Sequence, residues 1–365
     1  MTKILILDGG LGTTLEAEHG CVFTSAATPL WSSHLVVASP STLLACQRSF
    51  ARVPIDVLLT ATYQASIHGF AGTVTDEHPH GITEPLIPGY LDRAVAIAEE
   101  AVAPEVGGDT AQRTKVALSL GPYGACMIPS QEYSGIYDDA HSTAAQLQSW
   151  HLARTQLFSS IRDVSSRVSL IALETIPRLD EITAMREALH SVPELSSVPY
   201  WTSCLYPETG AAESAAEDDA AHYLLPDGST AEDAVYAMLD PDVGPLPWGI
   251  GINCTKAWKL EGLLRRYEAA VSRMVQQGRI PAWPALVLYP DGTSGEVYNT
   301  ETQKWELPAA QRMGSNASSW EDQVAEAVRG TVARGQWSEV LVGGCCMASP
   351  AHIKRLRDVL VPAKS

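Results

Sequence analysis

The sequence has little positive charge and no long apolar run. Of its 365 residues, 25 are Lys or Arg and 42 are Asp or Glu, which gives a formal net charge of −17. Such an acidic surface repels nucleic acid phosphates and anionic lipid headgroups, so we expect neither nucleic acid nor a membrane as a partner. No apolar stretch approaches the roughly 20 residues that a transmembrane helix needs.

The sequence also offers no secretion signal and too few cysteines for a disulfide framework. Only four apolar residues, Ile4–Leu7, precede Asp8, whereas the apolar core of a signal peptide needs roughly 7–15 residues. The seven cysteines are an odd number and are spread thinly along the chain, which argues against disulfide pairing. We therefore expect a soluble, cytoplasmic protein, in which a cysteine cluster indicates metal binding or catalysis.

Eight short apolar runs alternate with helical patterns. Continuous apolar runs are typical of strands buried on both faces, as in parallel sheets. Helical spacing is present between most of them, for example in Leu91–Val102, Thr143–Val164 and Leu260–Val275. Eight strand–helix units predict an α/β fold, a closed (β/α)8 TIM barrel, with an open doubly wound sheet as the alternative. The predicted strands are Ile4–Leu7, Val57–Thr60, Lys115–Leu120, Ser169–Leu173, Tyr200–Leu205, Gly249–Asn253, Ala285–Tyr289 and Glu339–Val342.

Three longer polar or acidic stretches interrupt this alternation. We interpret them as surface loops within one domain, and not as linkers between domains. We therefore expect a single domain over residues 1–365. The stretches are Glu77–Gly89, Ala103–Thr114 and Glu208–Asp227.

Two helix starts carry the capping-box pattern, in which Ser is followed three residues later by Glu. The first pair is Ser229 with Glu232, and the second is Ser318 with Glu321. The pattern predicts helix N-caps at Ser229 and Ser318.

The sharpest motif is Gly343-Gly344-Cys345-Cys346, directly after the last predicted strand. Adjacent cysteines rarely bridge each other, because a disulfide requires well-separated Cα atoms. Two thiolates presented by one tight turn can instead bind the same metal ion, and the glycines allow the backbone to turn sharply.

Cys254 supplies a third thiolate, because it follows the sixth predicted strand and all strand ends of a barrel open onto the same face. Three thiolates and one open position are typical of a catalytic zinc site, and soft sulfur ligands select Zn²⁺ over magnesium or calcium. The alternative is that these cysteines are only small buried apolar side chains. That is our interpretation of Cys21, Cys46, Cys126 and Cys204.

Two acidic residues lie at other strand ends. Asp8 begins the segment Asp8-Gly9-Gly10-Leu11-Gly12-Thr13, which lacks the Gly-x-Gly-x-x-Gly spacing of a dinucleotide site. Its carboxylate would repel an anion and favour an amino group. Glu174 follows the fourth predicted strand, so its carboxylate should reach the same barrel face. The alternatives are a simple strand-to-helix turn at Asp8 and an ion pair at the barrel rim for Glu174.

Motifs along almost the whole chain match one family in the same order. They are Leu7–Glu16, Pro29–Ser32, Thr60–Ser66, Leu120–Ala125, Glu132–Gly135, Glu174–Pro177, Gly251–Thr255, Tyr289–Asp291, Gly295–Glu296 and Gly343–Cys346. Together they resemble the homocysteine S-methyltransferase family. The two cysteine motifs and the Tyr-Gln-Ala-Ser segment are the specific ones.

The resemblance implies a (β/α)8 barrel with Zn²⁺ held by Cys254, Cys345 and Cys346. It also implies that Asp8 and Glu174 bind the amino acid part of homocysteine. The expected reaction is the transfer of a methyl group onto the homocysteine thiol, which gives methionine.

The same strand ends hold three further predicted substrate contacts, Gly9, Thr60 and Asn253. The form Glu174-Thr175-Ile176-Pro177 resembles family members that use a sulfonium methyl donor, S-methylmethionine or S-adenosylmethionine. The expected partners are therefore small molecules.

Three departures from the family pattern keep other functions open. Met347-Ala348 replaces the Gly-Thr that commonly follows the cysteine pair, Asp291 replaces Asn, and Arg52–Asp56 replaces Ala-Gly-Ala-Asp. One alternative is a zinc barrel that has lost turnover and only binds thiol amino acids, and another is a selenocysteine methyltransferase. A third is a barrel hydrolase or aldolase that uses Asp8 and Glu174, with structural cysteines.

Overall fold

Eight parallel strands form one closed barrel sheet in the computed structural model. The structure describes residues 2–24, 27–104, 114–208, 223–293, 296–299, 304–306 and 318–361. Its strands are β1 (Lys3–Ile6), β2 (Val57–Leu59), β3 (Lys115–Leu120), β4 (Leu170–Ile176), β5 (Tyr200–Cys204), β6 (Gly249–Asn253), β7 (Ala285–Tyr289), β8 (Val297–Asn299), β9 (Lys304–Glu306) and β10 (Glu339–Val342). β8 and β9 form a separate antiparallel hairpin, and the other eight pair in the order β1-β10-β7-β6-β5-β4-β3-β2.

The sheet closes between its first and last members. A parallel bridge joins Leu7 to Val57, and the Asp8 N–H donates to the Val57 carbonyl at 3.2 Å. The closure confirms the predicted (β/α)8 barrel and excludes the open sheet. All strand ends that carry chemistry therefore lie on the same face.

The fourth strand differs from its prediction in a way that affects the site. β4 runs on to Ile176, and its register with β5 shifts between Leu173 and Ile176. Glu174 thus lies inside an irregular strand and does not follow a completed one. A bulge of this kind re-aims the side chains within it.

The helices surround the barrel and follow the predicted alternation, with two corrections. The helix predicted from Leu91–Val102 begins earlier, at Ile87. Pro88 lies in its first turn, where the fixed φ of proline already fits helical geometry. The predicted helix Thr143–Val164 is too long, because one helix ends at Ser159 and the next begins at Val164, after Asp163 with its left-handed φ of 51°. The helices are α1 (Leu11–His19), α2 (Leu35–Ala38), α3 (Pro40–Ala51), α4 (Ile67–Ala71), α5 (Ile87–Ala101), α6 (Ala144–Ser159), α7 (Val164–Arg167), α8 (Leu179–His190), α9 (Pro193–Ser196), α10 (Ala231–Met238), α11 (Leu260–Gln276), α12 (Trp320–Arg334) and α13 (Pro350–Leu360).

The two predicted capping boxes are wrong by one residue. Thr230 caps α10, because its Oγ1 accepts the Asp233 N–H at 3.1 Å, and Ser319 caps α12. Ser229 belongs to the preceding turn, where its own N–H donates to the Asp227 carboxylate.

Of the predicted loops, residues 77–89 include the first turn of α5. Most of the other two loops, at residues 105–113 and 209–222, lies outside the described residues. Among the helices that the structure describes, none is both long and apolar enough to span a bilayer.

Apolar side chains pack in two shells. The larger shell fills the space between the strands and the helices. The smaller shell fills the barrel interior and includes Leu5, Ala117, Trp201 and Val287. The indole N–H of Trp201 donates to the Tyr289 hydroxyl at 3.0 Å. The interior is therefore a packed core, and any open space must lie at the barrel's ends.

A buried arginine connects this scaffold to two loops at the functional face. Arg154 of α6 is 3% exposed, and its guanidinium donates to the carbonyls of Ala65 at 2.8 Å, Tyr63 at 2.7 Å and Gly121 at 2.5 Å. These carbonyls belong to the loops that follow β2 and β3. The contacts satisfy a buried cation and fix both loops relative to the outer helices.

Candidate metal centre and substrate pocket

Three cysteine sulfurs meet at the carboxyl end of the barrel. The Sγ atoms of Cys254, Cys345 and Cys346 all lie within 4.8 Å of one another. Cys254 and Cys345 are 91 positions apart in the chain, and their Cα atoms are 5.5 Å apart. The structure therefore brings together the three residues that the sequence predicted as metal ligands, and this sulfur set could hold one metal ion.

Two of these sulfurs are joined as a disulfide in the structure, between Cys254 and Cys345. The expectation that the cysteines form no disulfide is wrong for this pair. Sulfurs that each bind the same zinc ion at about 2.3 Å must lie close together, so they can also be oxidised to a disulfide. A metal requires both as thiolates, and hence requires this pair to be reduced.

The glycine motif shapes the turn that carries the cysteine pair. The Gly344 N–H donates to the Asp8 carbonyl at 3.0 Å, and the Cys345 N–H donates to the Pro290 carbonyl at 2.8 Å. A Cβ on Gly344 would clash with the Ala348 side chain. Glycine is required at this position because the turn packs tightly against its own continuation and against the β1 loop.

Three non-glycine residues at the site have left-handed backbone conformations, with φ of 61° at Thr175, 47° at Cys254 and 64° at Met347. Such conformations cost roughly 1–3 kcal/mol each and persist only where neighbouring groups hold them. Met347 lies where family members commonly have glycine, which tolerates this geometry without strain.

Asn253 holds two of these strained positions. Its side-chain carbonyl accepts the Thr175 N–H at 2.9 Å, and its amide donates to the Thr175 hydroxyl at 2.7 Å. The same amide nitrogen lies 3.4 Å from the Cys254 sulfur. The substrate contact of Asn253 stays a prediction, and in the structure its side chain contacts Thr175 in the β4 bulge and the Cys254 sulfur.

Asp8 is a buried carboxylate whose hydrogen bonds are incomplete. One oxygen accepts the Leu59 N–H at 2.9 Å, and the other has no partner among the described residues. Burial raises the pKa of Asp8 to about 8, and the nearby Glu174 charge adds to this rise. A cationic group placed here would satisfy the free oxygen and lower the cost of ionisation.

Glu174 lies close enough to Asp8 to affect its ionisation, and is itself buried. The Ser119 hydroxyl donates to its carboxylate. Burial raises the pKa of Glu174 to about 7, although hydrogen bonds from Ser119 and Tyr289 oppose this effect. The two acids are thus neighbours, and their role in binding the ammonium group of a substrate stays a prediction.

The raised pKa of Asp8 predicts that an uncharged replacement stabilises the ligand-free protein. A buried acid with a raised pKa stabilises the fold fully below its unfolded pKa, near 4, and this contribution is lost as the pH rises through about 8. We expect Asp8→Asn to increase the free energy of unfolding at pH 8 by about 0.5–2 kcal/mol, with a smaller gain at pH 5. Urea unfolding at both pH values measures this difference, and equal gains at both would contradict the assigned pKa.

Gly9 and Thr60 contact their neighbours as parts of the scaffold. A Cβ on Gly9 would clash with the Ala348 carbonyl, so the absence of a side chain lets the β1 loop approach the cysteine turn. The Thr60 hydroxyl lies 2.6 Å from that of Thr62 and accepts the Ser119 N–H at 3.1 Å. The structure thus places both residues beside the acids and uses their own groups to position the loops.

A cavity of about 330 Å³ opens beside Cys346. Phe23, Trp31, Tyr133 and Trp305 line it together with polar and smaller residues. Desolvation raises the pKa of the Cys346 thiol to about 12, so in the absence of a metal this thiol keeps its proton at neutral pH. The cavity therefore borders one sulfur of the cysteine cluster.

Glu132 also lines this cavity and was missed as a site residue. The Glu132–Gly135 segment contributed to the family resemblance, but its sequence alone gave no reason for a buried acid. Burial raises the pKa of Glu132 to about 7. The only sign in the sequence that Glu132 belongs to a site was its place between Pro129 and the aromatic Tyr133.

Asp291, which departs from the family pattern, is paired with a cation. Its carboxylate lies 3.3 Å from the Lys256 ammonium, and both side chains are buried. The Lys256 charge opposes the rise that burial causes in the pKa of Asp291. The added negative charge beside Cys346 is therefore offset locally.

Comparisons with known proteins agree with this geometry. A family model described as homocysteine S-methyltransferase matches residues 5–360. Homocysteine S-methyltransferase 1 of Arabidopsis thaliana is 27% identical, over 97% of this chain and 93% of that protein. Homocysteine S-methyltransferase of Escherichia coli is 28% identical, over 97% of this chain and 94% of that protein. The crystal structure of the homocysteine methyltransferase MmuM from Escherichia coli, in its metallated form, has a TM-score of 0.63 at 25% identity, and the match covers 97% of this chain and 96% of that one. The chain belongs to the homocysteine S-methyltransferase family and is a methyltransferase.

Proposed function

We propose that this enzyme transfers a methyl group from a sulfonium donor, S-methylmethionine or S-adenosylmethionine, to the thiol of homocysteine. The observation that carries the proposal is the cluster of Cys254, Cys345 and Cys346, whose sulfurs lie within 4.8 Å of one another. Two buried acids and an open cavity lie beside this cluster, as an amino acid thiol and a second substrate require. We also propose that residues 1–365 act as one barrel domain.

The sulfur set fits Zn²⁺ as the resident metal, with Cys254, Cys345 and Cys346 as its ligands. Three thiolates match a catalytic zinc site, which keeps one position open for a substrate. When bound, zinc lowers the pKa of the homocysteine thiol and keeps its sulfur as a nucleophilic thiolate.

The protein's own residues hold the substrate and shape the reaction. Asp8 and Glu174 bind the homocysteine ammonium, which directs its thiol toward the cysteine cluster. The homocysteine thiol gives its proton to solvent water before attack, a new bond forms between its sulfur and the donor methyl, and the old carbon–sulfur bond breaks. The electron pair of the broken bond stays on the donor sulfur, so a neutral thioether leaves and no general acid is required.

Alignment of the two sulfurs is the main contribution that the scaffold makes. Holding two reactants in attack geometry can lower a barrier by roughly 7–11 kcal/mol at best. Arg154 and Asn253 serve this purpose indirectly, because Arg154 fixes the loops and the Asn253 amide contacts the Cys254 sulfur.

A methyl-transfer assay tests the proposal. We expect reduced, zinc-loaded protein to form methionine from homocysteine and at least one sulfonium donor, to lose activity with a chelator, and to regain it with added Zn²⁺. Selenocysteine, offered in place of homocysteine, tests the alternative acceptor. Metal-loaded protein that forms no methionine from either donor would contradict the proposed function and favour a thiol-binding barrel without turnover.

A further inference from the structure

A third buried carboxylate, Glu132, lies in the cavity beside the cysteine cluster. It is 8% exposed, and its Oε2 atom has no hydrogen-bond partner among the described residues. Its turn is fixed, because the Gln131 N–H donates to the Gly124 carbonyl at 2.8 Å and the Gly135 N–H donates to the Gln131 carbonyl at 2.8 Å. A buried acceptor without a donor is unfavourable in itself, so a ligand that supplies a donor to this oxygen would remove that cost.

The rest of the cavity wall consists of aromatic, apolar and neutral polar side chains together with Glu16. No described residue that lines it is Lys, Arg or His, and the nearby Lys256 ammonium lies against the Trp305 ring, 5.3 Å from its centroid. Phe23 and Trp31 form an edge-to-face pair with centroids 6.0 Å apart, and Tyr133 and Trp305 form another at 6.5 Å. Aromatic faces attract positively charged groups, and the carboxylate adds a full negative charge.

We infer that Glu132 binds the α-ammonium group of the sulfonium methyl donor. This inference rests on the proposed function and assigns a residue to its second substrate. The free oxygen needs a hydrogen-bond donor, which an ammonium supplies and a sulfonium does not. The sulfonium then lies toward the aromatic side chains and Cys346.

The reaction chemistry supports the same assignment. The sulfonium loses its positive charge as the methyl group leaves, so a carboxylate against it would stabilise the reactant more than the transition state. The ammonium keeps its charge throughout, and pairing with it does not oppose the reaction. Asp8 and Glu174 are absent from the lining of this cavity, so homocysteine and the donor each have their own carboxylate.

Calorimetric titration of zinc-loaded protein tests the inference through binding and not through turnover. The two ligands are S-methylmethionine and its deamino analogue, 4-(dimethylsulfonio)butanoate. We expect the unmodified protein to bind S-methylmethionine about tenfold more tightly or better, which corresponds to about 1.4 kcal/mol. In Glu132→Gln this preference should fall to about twofold or less, while the affinity for the analogue and for homocysteine changes little.

Glu16→Gln is the matched control, because Glu16 lines the same cavity with an exposed side chain. It removes the same charge and should change either affinity by less than about threefold. Glu132→Asp keeps the charge and should retain part of the preference, which separates a lost charge from a disturbed fold. An unchanged preference in Glu132→Gln, an equal loss of homocysteine affinity, or no binding of S-methylmethionine to the unmodified protein would overturn the inference. Binding with the expected preference but without methionine formation would uphold it and contradict the proposed turnover instead.

Discussion

Replacement of any one of the three clustered cysteines by serine is expected to abolish methyl transfer. In Cys254→Ser, Cys345→Ser and Cys346→Ser, a hydroxyl that does not ionise near neutral pH takes the place of a thiolate ligand. We expect bound zinc well below one ion per chain and a fall in kcat/KM of at least about 10³-fold, because the substrate thiol stays protonated. Metal analysis of reduced protein and a methionine-formation assay measure the two effects.

Cys21→Ser is the control for this series. Cys21 is unpaired and only half-buried in the structure, and it lies outside the cluster. We expect zinc content and activity near those of the unmodified protein. Full activity in any of the three cluster variants would remove that cysteine from the proposed set of ligands.

Glu174→Gln is expected to weaken homocysteine binding strongly while leaving the metal in place. The substitution keeps the shape of the side chain but removes the charge that would pair with the substrate ammonium. Loss of one partner from a buried charged pair costs roughly 2–5 kcal/mol, so we expect the Kd for homocysteine to rise by about 100-fold. Calorimetric titration with homocysteine measures the change, and metal analysis should still give about one zinc per chain.

The matched control is Glu187→Gln, because Glu187 is exposed on α8, the helix that follows β4. A change at this distance from the pocket should leave the homocysteine affinity within about twofold. An unaltered affinity in Glu174→Gln would show that Glu174 does not bind the substrate ammonium, and loss of zinc in that variant would indicate a wider structural defect.

The meeting of the three cysteines was predictable because it depends on a regular property of the fold. Strand ends of a closed barrel share one face, so residues at the ends of β6 and β10 must approach each other whatever lies between them. The Gly343-Gly344 pair then indicated a tight turn, and the structure shows that a larger residue at position 344 would clash. The same rule placed Asp8 and Glu174 beside the cluster.

The details that orient these groups could not be read from local sequence. The bulge in β4 is held by hydrogen bonds between Thr175 and Asn253, which are 78 positions apart. Apolar periodicity therefore ended the strand at Leu173, three residues early. Glu132 lies in an irregular loop, where neither helical nor strand periodicity reveals which side chains are buried.

The guanidinium of Arg154 fixes the positions of two loops at the catalytic face. Its carbonyl partners belong to two different loops, whereas the arginine itself belongs to the outer layer of helices. The loops at the catalytic face are thus anchored by a buried side chain of the outer helical layer. Because one side chain contacts both loops, a displacement of α6 would remove hydrogen bonds from both of them at once.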